Sequence, residues 1–195
     1  MRPAAWLVGA LPLALLLLAA FTTGLTADPI EFVTHRTGFA ALALLMGSLA
    51  VSPARRLTGW NWLAPARRTL GLSAFGYALL HFVTYLFDQA FSLRYVVDDV
   101  LERPYVTAGF TALLLLVPLA VTSTRGAIRR MGKRWQKLHR LVYLAAGLGV
   151  LHFLWLVKAD LREPLAFAAV FALLMLLRLP ALSGRGRKPG RPRDV

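Results

Sequence analysis

The chain has 195 residues, of which 57% are apolar and 16% are charged, with a mean hydropathy of +0.59 and a net charge of +14. A soluble domain carries about 25% charged residues, and a disordered chain is poor in large apolar ones, so both classes are excluded. The apolar residues stand in long blocks, which predicts an integral membrane protein. The absence of cysteine excludes disulfides, thiolate metal sites, iron–sulfur clusters and haem attached through Cys-x-x-Cys-His.

Six apolar segments reach or approach the length of about 20 residues that a transmembrane helix needs. The first follows a single arginine and is long for the core of a signal peptide, so we expect it to be retained. No internal repeat with a period of 20–50 residues is evident. The sequence therefore predicts an all-α bundle of six transmembrane helices over residues 1–182, followed by a basic tail at 183–195. The predicted spans cover residues 6–26, 34–51, 70–87, 105–122, 141–157 and 164–182.

The charged residues predict the orientation of the bundle. If the N-terminus is cytoplasmic, 18 of the 23 lysines and arginines fall on the cytoplasmic side, and eight of the nine acidic residues fall outside. Basic residues are enriched in cytoplasmic loops, so both termini are predicted to be cytoplasmic. The positive charge is then explained by topology and by contact with anionic lipid, and nucleic acid is not expected as a partner.

Two histidines lie within predicted spans, where ionisable residues are functional candidates. His81 precedes Asp88 by seven residues and His152 precedes Lys158 by six, which predicts both about 10 Å below the periplasmic boundary, on different helices. Two imidazoles at equal depth can bind one metal from opposite sides. Without cysteine or intramembrane carboxylates, haem iron fits this pair better than zinc does.

Small residues precede both histidines and would allow a porphyrin to approach the backbone closely. The alternative is that these residues pack neighbouring helices together and that each histidine donates a hydrogen bond across the interface. The small residues are Gly71, Ser73, Ala74, Gly76 and Ala78 before His81, and Ala145, Ala146, Gly147 and Gly149 before His152.

The other two histidines are less clearly assigned. His139 lies at the cytoplasmic start of the fifth span, about 20 Å from His152 along a helix axis, a separation that suits a second cofactor. On a straight helix the two side chains point about 140° apart, and Arg68 stands where the opposite ligand would be, so His139 is alternatively an interfacial residue. His35 is expected to be an interfacial or proton-handling residue.

Basic residues cluster in the two predicted cytoplasmic loops, at 55–68 and 125–140. They can contact a flavin phosphate, a quinone or lipid phosphate, of which lipid is favoured. No Gly-x-Gly-x-x-Gly element follows a strand, so no nucleotide-binding domain is predicted within the chain. The spans contain no Ser-His-Asp arrangement and no paired carboxylates, so hydrolysis has no support.

Several segments around the histidines resemble a known family. Most of residues 28–180 is similar to the haem-binding membrane subunits of the protein-methionine-sulfoxide reductase system (the MsrQ or YedZ family), within the ferric-reductase-like transmembrane group. The segments that carry the resemblance are 37–56 (TGFAALALLMGSLAVSPARR), 67–81 (RRTLGLSAFGYALLH), 103–109 (RPYVTAG), 132–143 (GKRWQKLHRLVY) and 152–158 (HFLWLVK).

The resemblance implies a subunit of the bacterial inner membrane with b-type haem, one or two in number, and an associated FMN. It also implies electron transfer from membrane quinones to a periplasmic, molybdenum-containing catalytic subunit, which reduces methionine sulfoxide in oxidised proteins. By position, His81, His139 and His152 match the family's haem-linked histidines, and His35 matches a family histidine of unassigned role. Larger relatives carry a fourth ligand where this chain has Arg68.

Two interpretations from other classes compete with an electron-transfer subunit. One is a transporter or proton pathway that uses His81 and His152, but inverted repeats and broken helices near the midplane, which are typical of transporters, are not evident. The other is a stand-alone ferric reductase, which needs a flavin- and nicotinamide-binding domain. The sequence therefore favours a subunit that carries electrons and leaves sulfoxide reduction to its partner.

Overall fold

The computed structural model describes residues 2–22 and 27–178, and the regular structure within these ranges is helical. A single 3-10 turn, Asn61–Leu63, leads into the third helix. The α-helices are α1 Arg2–Thr22, α2 Pro29–Thr58, α3 Ala64–Asp88, α4 Leu93–Glu102, α5 Pro104–Val121, α6 Arg125–Met131, α7 Lys133–Leu138, α8 Leu141–Leu156 and α9 Arg162–Leu176.

Five helical segments are long and apolar enough to cross a membrane, and they overlap the first five predicted spans. The protein is a multi-pass membrane protein. Helix α9 has 15 residues, about 22 Å of helix, which is less than the hydrocarbon core of about 30 Å. The predicted sixth span runs on to residue 182, and its end and the tail lie outside the described residues. The number of six spans and the cytoplasmic position of both termini stay predictions.

The centre of the bundle consists of two antiparallel hairpins, α2 with α3 and α5 with α8. Helix α2 is the most buried element, because it contacts α1, α3, α8 and α9. It begins at an Asp28 cap, whose carboxylate accepts the N–H of Glu31, and ends at Gly59 with φ of 72°; both are typical helix boundaries. The core residues include Leu45, Leu49, Ala74, Leu116, Ala145, Ala146 and Val150.

Helix α1 packs against α3 at a close approach. A Cβ on Gly9 would collide with the Ser73 hydroxyl oxygen, so the two backbones meet where glycine leaves room. One turn further, next to Pro12 inside the helix, the N–H of Leu13 donates to the Tyr77 hydroxyl at 2.8 Å. Helix α1 is thus joined to the bundle by packing and by a hydrogen bond.

The bundle has two chemically different ends. We call one the acidic end, since it carries Asp88, Asp98, Asp99 and Glu102 around helix α4; the other, the basic end, carries the clusters at 55–68 and 125–140. Helices α4, α6 and α7 lie in segments that the sequence analysis treated as loops. They are short, ten, seven and six residues respectively, and hydropathy over a span-length window does not detect them.

Candidate functional site

His81 on α3 and His152 on α8 face each other between the two hairpins. Their ring centroids are 6.1 Å apart, and the ring planes are inclined at 77°. Both rings line a cavity of about 340 Å³ that opens toward the acidic end. Ligand sites typically occupy about 300–1,000 Å³, so the two histidines share a space large enough to hold a ligand.

Each of these histidines is fixed by a backbone carbonyl of the helix beside it. Nδ1 of His81 lies 2.8 Å from the carbonyl oxygen of Thr34 on α2, and Nδ1 of His152 lies 2.6 Å from that of Tyr105 on α5. A carbonyl oxygen only accepts, so each Nδ1 carries the proton and donates it. In the neutral form of each ring, Nε2 is then deprotonated, with its lone pair available to a metal.

A glycine lies under each imidazole. A Cβ on Gly38 would stand 3.0 Å from Nδ1 of His81, and a Cβ on Gly109 would stand 2.7 Å from Nδ1 of His152. Each glycine follows its carbonyl by four residues in the same helix, which is the position whose side chain would cover that carbonyl. The absence of a side chain at Gly38 and Gly109 lets each ring reach the backbone.

The same three-part arrangement occurs twice at a constant offset. Carbonyls 34 and 105, glycines 38 and 109, and histidines 81 and 152 are each 71 positions apart. Hairpin α5–α8 therefore repeats hairpin α2–α3, a longer period than the sequence analysis searched. At the basic end the same offset relates Arg68 to His139.

The residues of this first cavity fit a haem. Imidazole nitrogens bind transition-metal ions at about 2.0–2.1 Å, and a ring centroid lies about 1 Å beyond its nitrogen, so two imidazoles on opposite sides of one ion have centroids about 6 Å apart. The described residues contain no group of three or more His, Cys, Asp or Glu side chains that could complete a coordination shell. An ion held here would need further ligands from a bound group, as a porphyrin would supply.

The walls of the cavity suit a large, flat, mostly apolar ligand with a polar edge. Leu42, Ala74, Ala78, Phe110 and Leu116 form apolar walls, as a porphyrin face requires. The buried hydroxyl oxygen of Thr34 has no hydrogen-bond partner among the described residues, although buried polar atoms are normally paired. Such an atom at the cavity wall is available to a bound group.

Polar side chains surround the opening of the cavity at the acidic end. Tyr85 donates a hydrogen bond to Asp99 at 2.9 Å, and Arg103 forms an ion pair with the same carboxylate at 3.2 Å. The hydroxyl of Tyr105 accepts from Arg103 at 3.4 Å. His35, which the sequence predicted to be an interfacial or proton-handling residue, also lines this opening and is exposed.

His139 lies apart from the facing pair, in a second cavity of about 230 Å³ near the basic end. Its ring stacks on Trp135 with centroids 3.8 Å apart, and its Nε2 is 3.5 Å from the Ser123 hydroxyl. Arg67 and Arg68 line the same cavity. This cavity thus contains one imidazole and two guanidinium groups, and no second histidine lies opposite His139 among its lining residues.

An interruption of the helix explains how His139 and His152 both face the bundle interior. Helix α7 ends at Leu138 and α8 begins at Leu141, with His139 and Arg140 in a turn between them. The angle of about 140° expected for a straight helix therefore does not apply, because the regular α-helix is interrupted at these two residues.

The small residues selected from the sequence divide between several environments. Ala74, Ala78, Ala145 and Gly149 line the first cavity, as a porphyrin site requires. Gly71 instead lines the second cavity, Gly147 packs against Phe171 of α9, and Gly76 has nothing within 4 Å of its Cβ position among the described residues.

Sequence reasoning missed the groups that orient the histidines, namely the carbonyls of Thr34 and Tyr105 and the glycines at 38 and 109. The sequence does indicate these groups: the two carbonyl residues, the two glycines and the two histidines are each separated by 71 positions.

Comparison with known proteins identifies the group to which the chain is related. Residues 37–150 match the family described as "Ferric reductase like transmembrane component". The chain belongs to this family. The match includes His81 and His139 and ends two residues before His152.

Within the ferric reductase-like family the chain belongs to the MsrQ group, whose members are described as "Protein-methionine-sulfoxide reductase heme-binding subunit MsrQ". It is 50% identical to the protein of Deinococcus radiodurans over 190 residues, which are 97% of this chain and 94% of the relative. It is 52% identical to that of Rhodospirillum rubrum over 177 residues (89% and 84%) and 50% identical to that of Herminiimonas arsenicoxydans over 173 residues (87% and 79%). No solved structure matches the chain.

Proposed function

We propose that this chain is the haem-binding, electron-transfer subunit of a methionine-sulfoxide reductase system in the bacterial inner membrane. The observation that carries the proposal is the pair of facing imidazoles, His81 and His152, each with Nδ1 bonded to a carbonyl and Nε2 free. The name of the relatives, which describes them as heme-binding subunits of a protein-methionine-sulfoxide reductase, supports it independently.

His81 and His152 would be the two axial ligands of one b-type haem. The bound haem would supply reversible one-electron chemistry within the membrane. The carbonyls of Thr34 and Tyr105 hold each imidazole in the required tautomer and make its Nε2 a stronger electron donor, as is usual for metal-bound histidines. Gly38 and Gly109 keep the rings in place by leaving no side chain between ring and backbone.

His139 would be linked to a second haem in the cavity near the basic end. Arg68 lies at the position that corresponds to His139 in the other hairpin, so the opposite ligand of this second haem is not a histidine at that position. The resemblance to the family also supports membrane quinones as the electron donor and an associated FMN. The arginines of this end are available to flavin phosphate and to anionic lipid.

The electrons would leave at the acidic end, toward a periplasmic, molybdenum-containing catalytic subunit that forms a heterodimer with this chain. Reduction of methionine sulfoxide would take place on that partner. The facing pair lines the cavity that opens at this end, through the region of Tyr85, Asp99 and Arg103. This position gives the first haem the shorter path to a periplasmic acceptor.

The proposal can be tested with the purified protein in lipid nanodiscs. We expect a Soret band and, after addition of a reduced quinol, the absorption bands of reduced haem. With a methionine-sulfoxide peptide as acceptor, reoxidation should require the catalytic subunit. A preparation without a Soret band would contradict haem binding, and sulfoxide reduction by this chain alone would contradict its role as an electron-transfer subunit.

A further inference from the structure

Helix α4, at the acidic end, presents three different faces. Val96 is 8% exposed and packs on the bundle together with Asp99. Beside this buried face, Leu93, Val97 and Leu101 form an apolar stripe at spacings of four residues, with exposed fractions of 77%, 54% and 78%. The third face is polar and carries Arg94, Asp98 and Glu102.

The apolar stripe continues a surface that begins on α3. Leu79, Val83 and Phe87 are exposed at the same four-residue spacing along the outside of α3, which is one of the spans. Phe87 contacts Phe91 edge to face, with ring centroids 5.9 Å apart. The chain reverses here through Ala90 and Phe91, both at positive φ, and enters α4 at Leu93, so the paired rings of Phe87 and Phe91 lie along the chain between the apolar outside of the span and the stripe.

We propose that α4 lies in the membrane interface at the acidic end, with Leu93, Val97 and Leu101 immersed in lipid. A helix with one apolar and one strongly polar face typically lies in the interface plane, its apolar side about 5–10 Å into the headgroup and acyl boundary. Continuity with the apolar outside of α3 selects lipid as the occupant of the stripe, because the exposed surface of a transmembrane span is itself covered by lipid.

The charges of α4 specify how it would bind. The helix carries one basic residue, Arg94, and three acidic ones, Asp98, Asp99 and Glu102. Interfacial helices that depend on anionic lipid are rich in lysine and arginine, whereas α4 is net acidic. Its contact with the bilayer therefore rests on burial of the apolar stripe, and neither anionic lipid nor low salt should strengthen it.

This contact would also hold one wall of the first cavity. Asp99 and Val100 of α4 line that cavity, and the carbonyl of Val100 accepts a hydrogen bond from Thr107 of α5 at 2.5 Å. The bilayer on one side and α5 on the other thus confine α4 over the opening. The lipid contact itself does not depend on whether the cavity binds haem.

A series of single cysteines can test the proposal, because the chain has no cysteine of its own. Leu93→Cys, Val97→Cys and Leu101→Cys place a fluorophore on the stripe; Arg94→Cys, Asp98→Cys and Glu102→Cys place it on the polar face of the same helix. The full-length proteins are reconstituted in phosphatidylcholine vesicles whose acyl chains are brominated near the headgroup. Leu79→Cys, on the outside of α3, serves as the positive control for lipid contact.

We expect bromine to quench the three stripe labels strongly and the three polar-face labels weakly, with no change when phosphatidylglycerol is added. Equal, weak quenching on both faces, alongside strong quenching at Leu79→Cys, would overturn the proposal. The stripe labels could instead stay unquenched in vesicles and become protected from an aqueous quencher when the periplasmic catalytic subunit is added. That result would identify the stripe as a protein-docking surface and would overturn the proposal. A label series in which Leu93→Cys alone is quenched would contradict a helix lying in the interface plane.

Discussion

The carbonyl oxygens of Thr34 and Tyr105 are open to a side chain from a neighbouring helix, because the residue four positions later in each helix is a glycine. These glycines are Gly38 and Gly109, and in each case the side chain that arrives is a histidine from the adjacent helix. The orientation of His81 and His152 therefore depends on glycine as much as on the histidines themselves.

Gly109→Ala should displace the His152 ring, because the new methyl group would stand 2.7 Å from Nδ1. We expect haem affinity to fall about 10–100-fold, the usual effect of losing an outer-shell partner of a metal ligand. Haem content during titration of the apoprotein, with the spectrum of the bound form, measures this effect.

The matched control is Gly76→Ala, also within a helix, where the added methyl group has open space. This variant should keep wild-type haem affinity and gain a few tenths to about 1 kcal/mol of stability, because alanine loses less backbone entropy than glycine. Equal loss of haem in Gly76→Ala and Gly109→Ala would show that the position of the glycine is irrelevant.

The sequence predicted that His81 and His152 lie at one depth, because distance from the charged span ends can be counted along a helix. The orienting groups could not be predicted in the same way. Their role depends on which helices are neighbours, and an apolar helix gives no indication of its partner. The His139 environment was missed for a related reason, since the turn at His139 and Arg140 interrupts a segment with no glycine or proline to mark it.

At the scale of elements, a proline in α2 connects the central helix to α9. Pro53 has no N–H, so the carbonyl of Leu49, four residues earlier, lacks its helical donor. The Arg178 guanidinium, just beyond α9, donates to this carbonyl and also to that of Leu174, and it lies over the ring of Tyr143. Arg178 thus satisfies a buried acceptor that the proline leaves open.

Arg178→Met should destabilise the protein by about 1–3 kcal/mol, because it leaves the Leu49 carbonyl unpaired in the core. In a Pro53→Ala background the loss should be smaller by about 1 kcal/mol, since the alanine introduced there supplies the missing N–H. Thermal or denaturant unfolding of the four proteins in one detergent gives this double-mutant cycle. If the losses of unfolding free energy in the two single variants add up to that of the double variant within about 0.3–0.5 kcal/mol, as for independent sites, Arg178 does not compensate for Pro53.

Element boundaries were predictable where hydrophobicity alone determines them. Helix α5, almost wholly apolar, begins and ends within one residue of its predicted span. Helices α2 and α3 extend beyond theirs, because the hydropathy signal stops at Arg55, Arg56, Arg67 and Arg68 while the helices continue. Arginines at span ends remain compatible with a helix that emerges from the bilayer.

At the scale of the molecule, the two hairpins form a repeated unit with the first cavity between them. The repetition was not detected in the sequence, because its period of 71 residues is longer than the 20–50 residues considered there; at this offset residues 38–45 (GFAALALL) and 109–116 (GFTALLLL) are identical at six of eight positions. Two pairs at this offset have a structural role, namely Gly38 with Gly109 and His81 with His152. That role is recognisable only once the hydrogen bonds from the two histidines to the carbonyls of Thr34 and Tyr105 are known.

The separation of acidic and basic residues predicts the orientation of the whole bundle. We expect a reporter fused after Val195 to be cytoplasmic, because 18 of 23 basic residues lie on the side predicted to contain both termini. A paired phosphatase and fluorescent-protein fusion at that site measures the location. Phosphatase activity with no fluorescence would reverse the assignment and would place the acidic end in the cytoplasm.

The central claim is that His81 and His152 bind one haem from opposite sides, and spectra of the histidine variants test it most directly. Absorption and electron paramagnetic resonance spectra of His81→Ala and His152→Ala should each lack the low-spin signal of this haem, because alanine offers no nitrogen to the iron. His139→Ala should retain that signal and lose a second one at most. Loss of all haem in His139→Ala, with an unchanged spectrum in His152→Ala, would contradict the pairing and would place the haem at the basic end.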